Sequence, residues 1–273
     1  MPTLLTSQDL VAYPTVAADH RLAYGDNEFQ FADLYLPAGE GPHPVVLLIH
    51  GGCWMAQYSL EHLGLMCDAL RGRGTAVYSL EYRRIGNGGG WPHTMLDVAA
   101  GADHLRQIAP QFNLDLSRVV AAGHSAGGHL VLWLAARQRL LPSSELYTPN
   151  PLPLRGVASL AGVADLIRAH QWPICDDSPS LLMGGLPHEV MERYQQASPS
   201  ALLPLGVRQV LINGVLDPIV PLAFIEEYEA AARASGDTVE MVNLPDVGHF
   251  ELVIPETAVF PIVAQAILGL NRD

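Results

Sequence analysis

Short, continuous apolar runs alternate along this chain with segments of helical length. Residues 44–50 read PVVLLIH, residues 75–82 read TAVYSLEY and residues 208–214 read RQVLING. Runs of this kind lack a polar face and favour strands that are buried on both faces of a sheet. Because helical stretches separate them, the pattern predicts right-handed βαβ crossovers and a mostly parallel sheet.

The alternation covers nearly the whole chain. Two short segments within residues 20–36, joined by the turn GDNE, indicate an antiparallel hairpin ahead of the first buried strand. The predicted fold class is a doubly wound α/β domain with a mostly parallel sheet and an N-terminal antiparallel hairpin. Further strands are predicted at residues 118–123, from Gly156 and at 238–244, and helices at 60–71, about 95–108, after Ser125, at 222–234 and after Pro255.

One segment interrupts this pattern. Residues 162–207 are rich in Pro, Ser, Gly and Leu and contain only short helical stretches such as PHEVMERYQQ. A long stretch of this composition is typical of an insertion rather than of a core unit. We therefore expect a single domain over residues 1–273, with a small cap insertion at about 162–207 over the strand ends.

Composition restricts the class of protein further. The chain is 49% hydrophobic and 16% charged, and no apolar run approaches the roughly 20 residues that span a bilayer. The formal net charge is −13 with only 15 scattered basic residues, whereas nucleic-acid binding depends on clustered Lys and Arg. We expect neither a membrane-spanning protein nor a nucleic-acid-binding one.

Targeting signals and cysteines bear on the compartment. The N-terminal sequence MPTLLTSQDLVAYP lacks the basic start and apolar core of a signal peptide, and the chain contains no N-x-S/T glycosylation site. Cys53, Cys67 and Cys175 are an odd number without a CxxC pair, which favours free thiols in a reducing compartment. The predicted location is cytoplasmic.

The sequence GHSAG at residues 123–127 identifies a candidate nucleophile. It matches G-x-S-x-G and lies directly between a predicted strand and a predicted helix, with small residues around Ser125 where a bulky side chain would clash. A serine hydroxyl is a weak nucleophile at neutral pH and needs a general base that a third group orients. Ser125 is therefore the predicted nucleophile, and its partners should follow later strands in the order acid, then histidine.

Two later loops supply those partners. Asp217 follows the strand at residues 208–214, and His249 follows the strand at residues 238–244. Most of the other histidines precede Ser125 or lie in the insertion, so position selects His249 as the base. Asp165, which follows an earlier strand, stays open as an alternative acid, while Asp246 has the features of an ordinary turn residue.

Acyl transfer also needs backbone donors for the developing oxyanion. The sequence IHGGCW at residues 49–54 follows the first buried strand and supplies consecutive glycines where the backbone approaches substrate. The predicted donors are the N–H groups of Gly52, Cys53 and Ala126. Cys53 itself lacks the setting of a reactive thiol, so its predicted role is through the backbone.

Other features are weaker. His124 and His129 are separated across a strand-to-helix junction without a nearby carboxylate or thiol set, so neither a metal nor a cofactor is predicted. Aromatic side chains are candidates for an acyl or leaving-group pocket. The candidate pocket residues are Trp54, Trp91, Trp172 and Phe250.

Taken together, these residues resemble the α/β-hydrolase superfamily over nearly the full length of the chain. The resemblance is greatest to the group with an HGG-x-W motif, which includes carboxylesterases related to hormone-sensitive lipase and kynurenine formamidases. The matching segments are HGGCW at residues 50–54, GHSAGG at residues 123–128, Asp217 and His249, and LEYRR at residues 80–84 resembles a Tyr-Arg segment of that group. HGGC in place of HGGG, and GHSAGG in place of GDSAGG, favour the formamidase and small-esterase branch.

The expected function is a cofactor-independent, carboxylesterase-type serine hydrolase that cleaves a small carboxylic ester through an acyl-enzyme. An alternative is an arylformamidase acting on N-formylkynurenine, and an alternative of another class is a non-catalytic ligand receptor on the same fold. The expected partner is a small-molecule ester or amide. A homodimer through the last strand or helix is one assembly that this arrangement allows.

Overall fold

One mixed sheet organises the protein. The computed structural model describes residues 3–10 and 12–272. Its strands lie in the order β1-β2-β4-β3-β5-β6-β7-β8, with β1, β2 and β4 paired antiparallel and all the other neighbours parallel. The strands are β1 (His20–Ala23), β2 (Phe31–Tyr35), β3 (His43–Ile49), β4 (Ala76–Leu80), β5 (Leu114–His124), β6 (Gly156–Leu160), β7 (Arg208–Gly214) and β8 (Val239–Leu244).

Helices connect the parallel strands and cover both faces of the sheet. Within the described residues they are α1 (Ser7–Leu10), α2 (Gly64–Arg71), α3 (His93–Phe112), α4 (Ala126–Ala136), α5 (Leu166–Gln171), α6 (Ser178–Met183), α7 (Met191–Ala197), α8 (Leu222–Ala234) and α9 (Phe260–Gly269). None of these helices has the length and apolar character needed to cross a membrane. The doubly wound, mostly parallel α/β fold with an N-terminal hairpin is confirmed.

The apolar runs of the sequence contribute side chains to two hydrophobic cores, one on each face of the sheet. Successive side chains of β3 alternate between the two faces of the sheet. Val45, Leu47 and Ile49 pack into the core beneath α3, α4 and α8, whereas Val46 and Leu48 pack into the core beneath α2 and α9. A strand without a polar face is therefore the pattern that this architecture requires.

The segment at residues 162–207 forms the three short helices α5, α6 and α7 between β6 and β7. Its C-terminal part packs against helix α4. The indole of Trp133 donates to the Gln196 carbonyl at 2.9 Å, and Nε2 of His129 donates to the Ala197 carbonyl at 2.9 Å. The segment is thus attached to the helix that follows Ser125.

The prediction of three free thiols is wrong. Cys53 and Cys175 form a disulfide, although 122 residues separate them in the sequence. Their Cα atoms lie 5.6 Å apart because residues 162–207 fold back to the loop after β3. Only Cys67 is free among the described cysteines, and burial raises its pKa to about 12. The bond removes the cysteine argument for a reducing compartment, since disulfides persist mainly in oxidising ones.

Candidate active site

Ser125 occupies a sharp turn between β5 and α4. Its φ of 55° and ψ of −118° place it at positive φ, which is uncommon for a residue with a side chain. The flanking glycines make this turn possible. A Cβ on Gly123 would lie 2.3 Å from the Gly127 carbonyl oxygen, and one on Gly127 would lie 2.1 Å from the Ile49 carbonyl oxygen. The two glycines of the GxSxG pattern therefore allow close backbone packing on both sides of Ser125.

His249 and Asp217 come together on the loops after β8 and β7. Nδ1 of His249 lies 2.6 Å from Oδ2 of Asp217, and both side chains are almost completely buried. The other carboxylate oxygen of Asp217 accepts from the backbone N–H groups of Ile219 at 2.8 Å and Val220 at 2.9 Å. Asp217 is thus fixed in the orientation that directs Nδ1–H of His249 toward it and leaves Nε2 available.

Asp165, the alternative acid, has a different partner. Its carboxylate caps helix α5 by accepting from the N–H groups of Ile167 and Arg168, both at 2.9 Å. Asp246 lies at φ 57°, as expected for a residue in a turn. Of the three aspartates considered from the sequence, the structure brings Asp217 into hydrogen-bond contact with His249.

The loop after β3 runs against the nucleophile turn. A Cβ on Gly51 would lie 2.7 Å from the His124 carbonyl oxygen and 3.0 Å from Cβ of Ser125. Gly52 at φ 107° and Cys53 at φ 50° curve the chain so that both line the same cavity as Ser125. Ala126 is fully buried at the first position of α4. The predicted oxyanion donors Gly52 and Cys53 thus share a cavity with the predicted nucleophile.

A buried network beneath this loop was not anticipated as functional. Nδ1 of His50 lies 2.8 Å from the Gly51 carbonyl oxygen, and Nε2 of His50 lies 3.0 Å from Oε1 of Glu81. Tyr82 stacks on the His50 ring at 4.5 Å and donates its hydroxyl to the His50 carbonyl at 3.1 Å. The only sequence signal for Glu81 was its place in LEYRR.

Two more imidazoles, those of His124 and His62, line the same cavity as His249. Nε2 of His124 donates to the His249 carbonyl at 2.9 Å, and the two rings lie 4.5 Å apart. Burial, together with the charge of His249, holds the pKa of His124 well below its ordinary value. Burial and the charge of His50 lower the pKa of His62 to about 4. The lowered pKa values favour the neutral form of both rings.

The cavity that contains Ser125 and His249 has a volume of about 290 Å³. Its apolar wall includes Leu10, Tyr58, Ile219 and Phe250. Helix α1 contributes to this wall, whereas the described part of residues 162–207 does not line it. The cap insertion that we expected over the strand ends therefore does not form the wall of this cavity.

Of the four aromatic candidates for the pocket, Phe250 lines the cavity that contains Ser125. Trp54 is fully buried and packs edge-on against the His129 ring at 5.4 Å. The Trp91 indole donates to Glu145 at 2.9 Å, and the Trp172 ring packs against Phe224 at 6.3 Å. All three tryptophans lie outside the lining because their rings are used in packing or hydrogen bonding elsewhere.

Metal-ligating side chains do not converge in the described ranges: no group of three or more His, Cys, Asp or Glu is arranged to hold an ion. His124 and His129 each direct a ring nitrogen to a backbone carbonyl.

The sheet, the nucleophile turn and the acid–histidine pair define an α/β hydrolase related to carboxylesterases. The chain belongs to the BD-FAE family, whose model matches residues 32–229, well over half of its length.

Comparisons with individual proteins agree with this class. Esterase LipC of Mycobacterium tuberculosis is 26% identical over 254 residues, which cover 85% of this chain and 60% of LipC, so the chain spans well under the full length of that relative. Kynurenine formamidase of Danio rerio is 23% identical over 234 residues, covering 84% of this chain and 74% of that protein. A solved structure described as a truncated carbohydrate esterase from gut microbiota matches with a TM-score of 0.80 and 21% identity, covering 95% of this chain and all of that one, which shows the shared fold.

Proposed function

We propose that the protein is a serine carboxylesterase in which Ser125, His249 and Asp217 act together. The observation that carries the proposal is the 2.6 Å contact of Asp217 with His249, which lines the same cavity as Ser125. A nucleophile, an orienting acid and a base on the loops after β5, β7 and β8 form a recognised arrangement for acyl transfer.

Each step uses groups of this chain. The hydroxyl of Ser125 attacks the acyl carbon and gives its proton to Nε2 of His249, while Asp217 stabilises the imidazolium that forms. The N–H groups of Gly52, Cys53 and Ala126 bind the oxyanion of the tetrahedral intermediate. Collapse releases the alcohol with the proton from His249, and water then hydrolyses the acyl-enzyme by the same route in reverse.

The size of the cavity supports a small acyl group. Ligand pockets in proteins are typically about 300–1,000 Å³, and this cavity, at about 290 Å³, lies at the lower end. Phe250 and Ile219 provide apolar contacts beside Ser125. We therefore propose short-chain carboxylic esters as the substrate class.

Arylformamide hydrolysis is the second candidate. The similarity to a kynurenine formamidase over 84% of this chain favours it, and a formyl group would fit a small acyl site. Both reactions pass through the same tetrahedral geometry, so they differ in the leaving group rather than in the roles of Ser125 and His249.

A substrate panel distinguishes these candidates. Turnover of p-nitrophenyl acetate, p-nitrophenyl octanoate and N-formylkynurenine is measured for the wild type and Ser125→Ala. The esterase proposal predicts the highest kcat/KM for the acetate ester and its loss in the variant. A higher kcat/KM for N-formylkynurenine than for the esters would contradict the esterase proposal and favour an arylformamidase. No turnover of any substrate by the folded wild type would favour a non-catalytic receptor.

The cytoplasmic location stays a prediction. The cysteines no longer support it, because Cys53 and Cys175 form a disulfide. Cell fractionation with an antibody to the protein tests it, and recovery from an extracytoplasmic fraction would contradict it.

A further inference from the structure

We propose that Glu81 is a positioning residue of the oxyanion hole: it holds His50 as an imidazolium, and His50 in turn orients the peptide that carries the Gly52 N–H. This inference rests on the proposed function, because it gives that N–H its role toward the reacting oxygen.

The peptide between Gly51 and Gly52 links His50 to the cavity. The Gly51 carbonyl accepts from Nδ1–H of His50 at 2.8 Å, and this contact is buried. In a trans peptide the C=O and the following N–H point in opposite directions. Fixing the Gly51 carbonyl therefore fixes the direction of the Gly52 N–H, and Gly52 lines the cavity with Ser125.

Both ring nitrogens of His50 face acceptors. Nδ1 faces a carbonyl oxygen, which cannot donate, and Nε2 lies 3.0 Å from Oε1 of Glu81. An ionised carboxylate accepts only, so each nitrogen must carry a proton to satisfy both contacts. His50 is fully buried, so a neutral ring, with one unprotonated nitrogen facing an acceptor, would cost free energy.

Glu81 is held in its ionised form. Burial by itself would raise its pKa, but the charge and hydrogen bond of His50 and the charge of Arg84 more than offset burial, so the pKa of Glu81 is lowered. Nη2 of Arg84 lies 3.4 Å from Oε1 of Glu81. The Tyr82 N–H also donates to Oε1 at 2.9 Å, so a guanidinium and a backbone donor stabilise the ionised carboxylate at 1% exposure without counting His50.

The same carboxylate also forms a hydrogen bond to a segment of the cavity wall. Oε2 of Glu81 accepts from the backbone N–H of Leu60 at 3.2 Å, next to the lining residues Ser59 and Glu61. One side chain thus joins the oxyanion loop to the wall that faces it. A positive charge on His50, one peptide away from the oxyanion donor, would strengthen that donor as negative charge develops.

The protonation state of His50 is measured in the wild-type protein. Proton–nitrogen correlation spectra of histidine-labelled protein near pH 7.5 distinguish imidazolium from neutral imidazole, and loss of one signal in His50→Gln assigns it. We expect His50 to carry protons on both nitrogens. His129, another fully buried histidine, serves as the neutral reference because only its Nε2 has a partner. A neutral His50 would overturn the proposal whether or not the protein proves to be an esterase.

Kinetics then test the positioning role. Glu81→Gln keeps the size of the side chain and removes the charge, so it should lower kcat for an ester about tenfold or more, with KM within about twofold. Affinity for a trifluoromethyl ketone, which forms the tetrahedral oxyanion on Ser125, should weaken by the same factor.

Asp97→Asn is the matched control. Asp97 is a carboxylate of equal burial that pairs with Arg83 at 2.7 Å. It should retain kcat within about twofold at equal folded fraction. Wild-type kcat in Glu81→Gln, or equal losses in both variants, would assign Glu81 a merely structural role and overturn the proposal. If Glu81→Gln fails to fold, the protonation state of His50 in the wild-type spectrum tests the proposal.

Discussion

The imidazole of His249 lies 2.6 Å from the carboxylate of Asp217, although 32 residues separate them in the sequence. Two backbone N–H groups donate to the other oxygen of Asp217, so the orientation of the carboxylate does not depend on its contact with His249. Asp165 instead caps α5. The two aspartates that the sequence could not separate are therefore in different structural roles, and mutation should separate them functionally.

Asp217→Asn should lower kcat for a short-chain ester by roughly 10³–10⁴-fold, because an amide cannot stabilise the imidazolium or enforce its tautomer. KM should change little. Asp165→Ala is the comparison: loss of the cap should cost about 1 kcal/mol of unfolding free energy while kcat stays within about twofold. Steady-state kinetics and urea unfolding measure both, and a larger loss of kcat in Asp165→Ala would reverse the assignment.

Phe250→Ala should shift acyl preference toward longer chains. Phe250 lines the cavity beside His249, and its removal would enlarge a space that now suits a small acyl group. We expect the octanoate-to-acetate ratio of kcat/KM to rise about tenfold, in line with the roughly 1–3 kcal/mol that separates homologous substrates in an apolar pocket. Trp172→Phe, outside the lining, should leave this ratio unchanged. An equal shift of this ratio in both variants would contradict the assignment of Phe250 to the wall of the acyl pocket.

Opening the disulfide should affect both stability and catalysis. Cys53 lines the cavity and is bonded to Cys175 in the segment at residues 162–207. Cys175→Ser should lower the unfolding free energy by about 2–5 kcal/mol and lower kcat, because the oxyanion loop loses its covalent anchor.

Cys67→Ala is the matched control for this prediction. It leaves the disulfide intact, so kcat should stay within about twofold and dithiothreitol should still lower it, whereas Cys175→Ser should not respond to the reductant. Thiol titration of the denatured wild type should find one free cysteine per chain. Three free cysteines would contradict the bond.

Acid should destabilise the fold through two histidines whose pKa values are lowered in the folded state. The pKa values of His62 and His129 are each lowered to about 4, in both cases with burial as the largest cause. Between pH about 6.5 and 4 the unfolded chain binds more protons than the folded one, so stability is complete above this range and is lost as the pH falls. Each group contributes up to about 1.4 kcal/mol per pH unit.

His129→Gln isolates one of these contributions. Glutamine keeps an N–H donor for the Ala197 carbonyl but does not titrate. The fall in unfolding free energy between pH 7 and pH 5 should be roughly 1–2 kcal/mol smaller in the variant. Urea unfolding at the two pH values measures it, with the same change at the exposed His188 as control. Identical falls in wild type and His129→Gln would refute the argument.

The element order could be predicted because each signal was local. Apolar runs marked the strands, and the bounds of α8 and β7 agree with the predicted 222–234 and 208–214. Ser125 and His249 followed from the same logic, since glycine spacing and a position after a strand are features of the chain itself.

Long-range contacts could not be predicted in this way. Nothing near Cys53 indicates that residue 175 folds back to it, and composition favoured free thiols. The cavity wall from α1 and the use of Glu81 by His50 likewise depend on segments that are distant in sequence. Aromatic content alone suggested the three tryptophans, but the packing of each ring decides where it lies.

Labelling of the folded protein by a fluorophosphonate probe tests the nucleophile most directly. The phosphorus bonds to an activated serine and fluoride leaves, so intact mass and peptide mapping locate the adduct. We predict one adduct per wild-type chain on Ser125, none in Ser125→Ala and none after denaturation. Folded wild type that stays unlabelled, or Ser125→Ala that keeps full esterase activity, would contradict the assignment of Ser125 as the nucleophile.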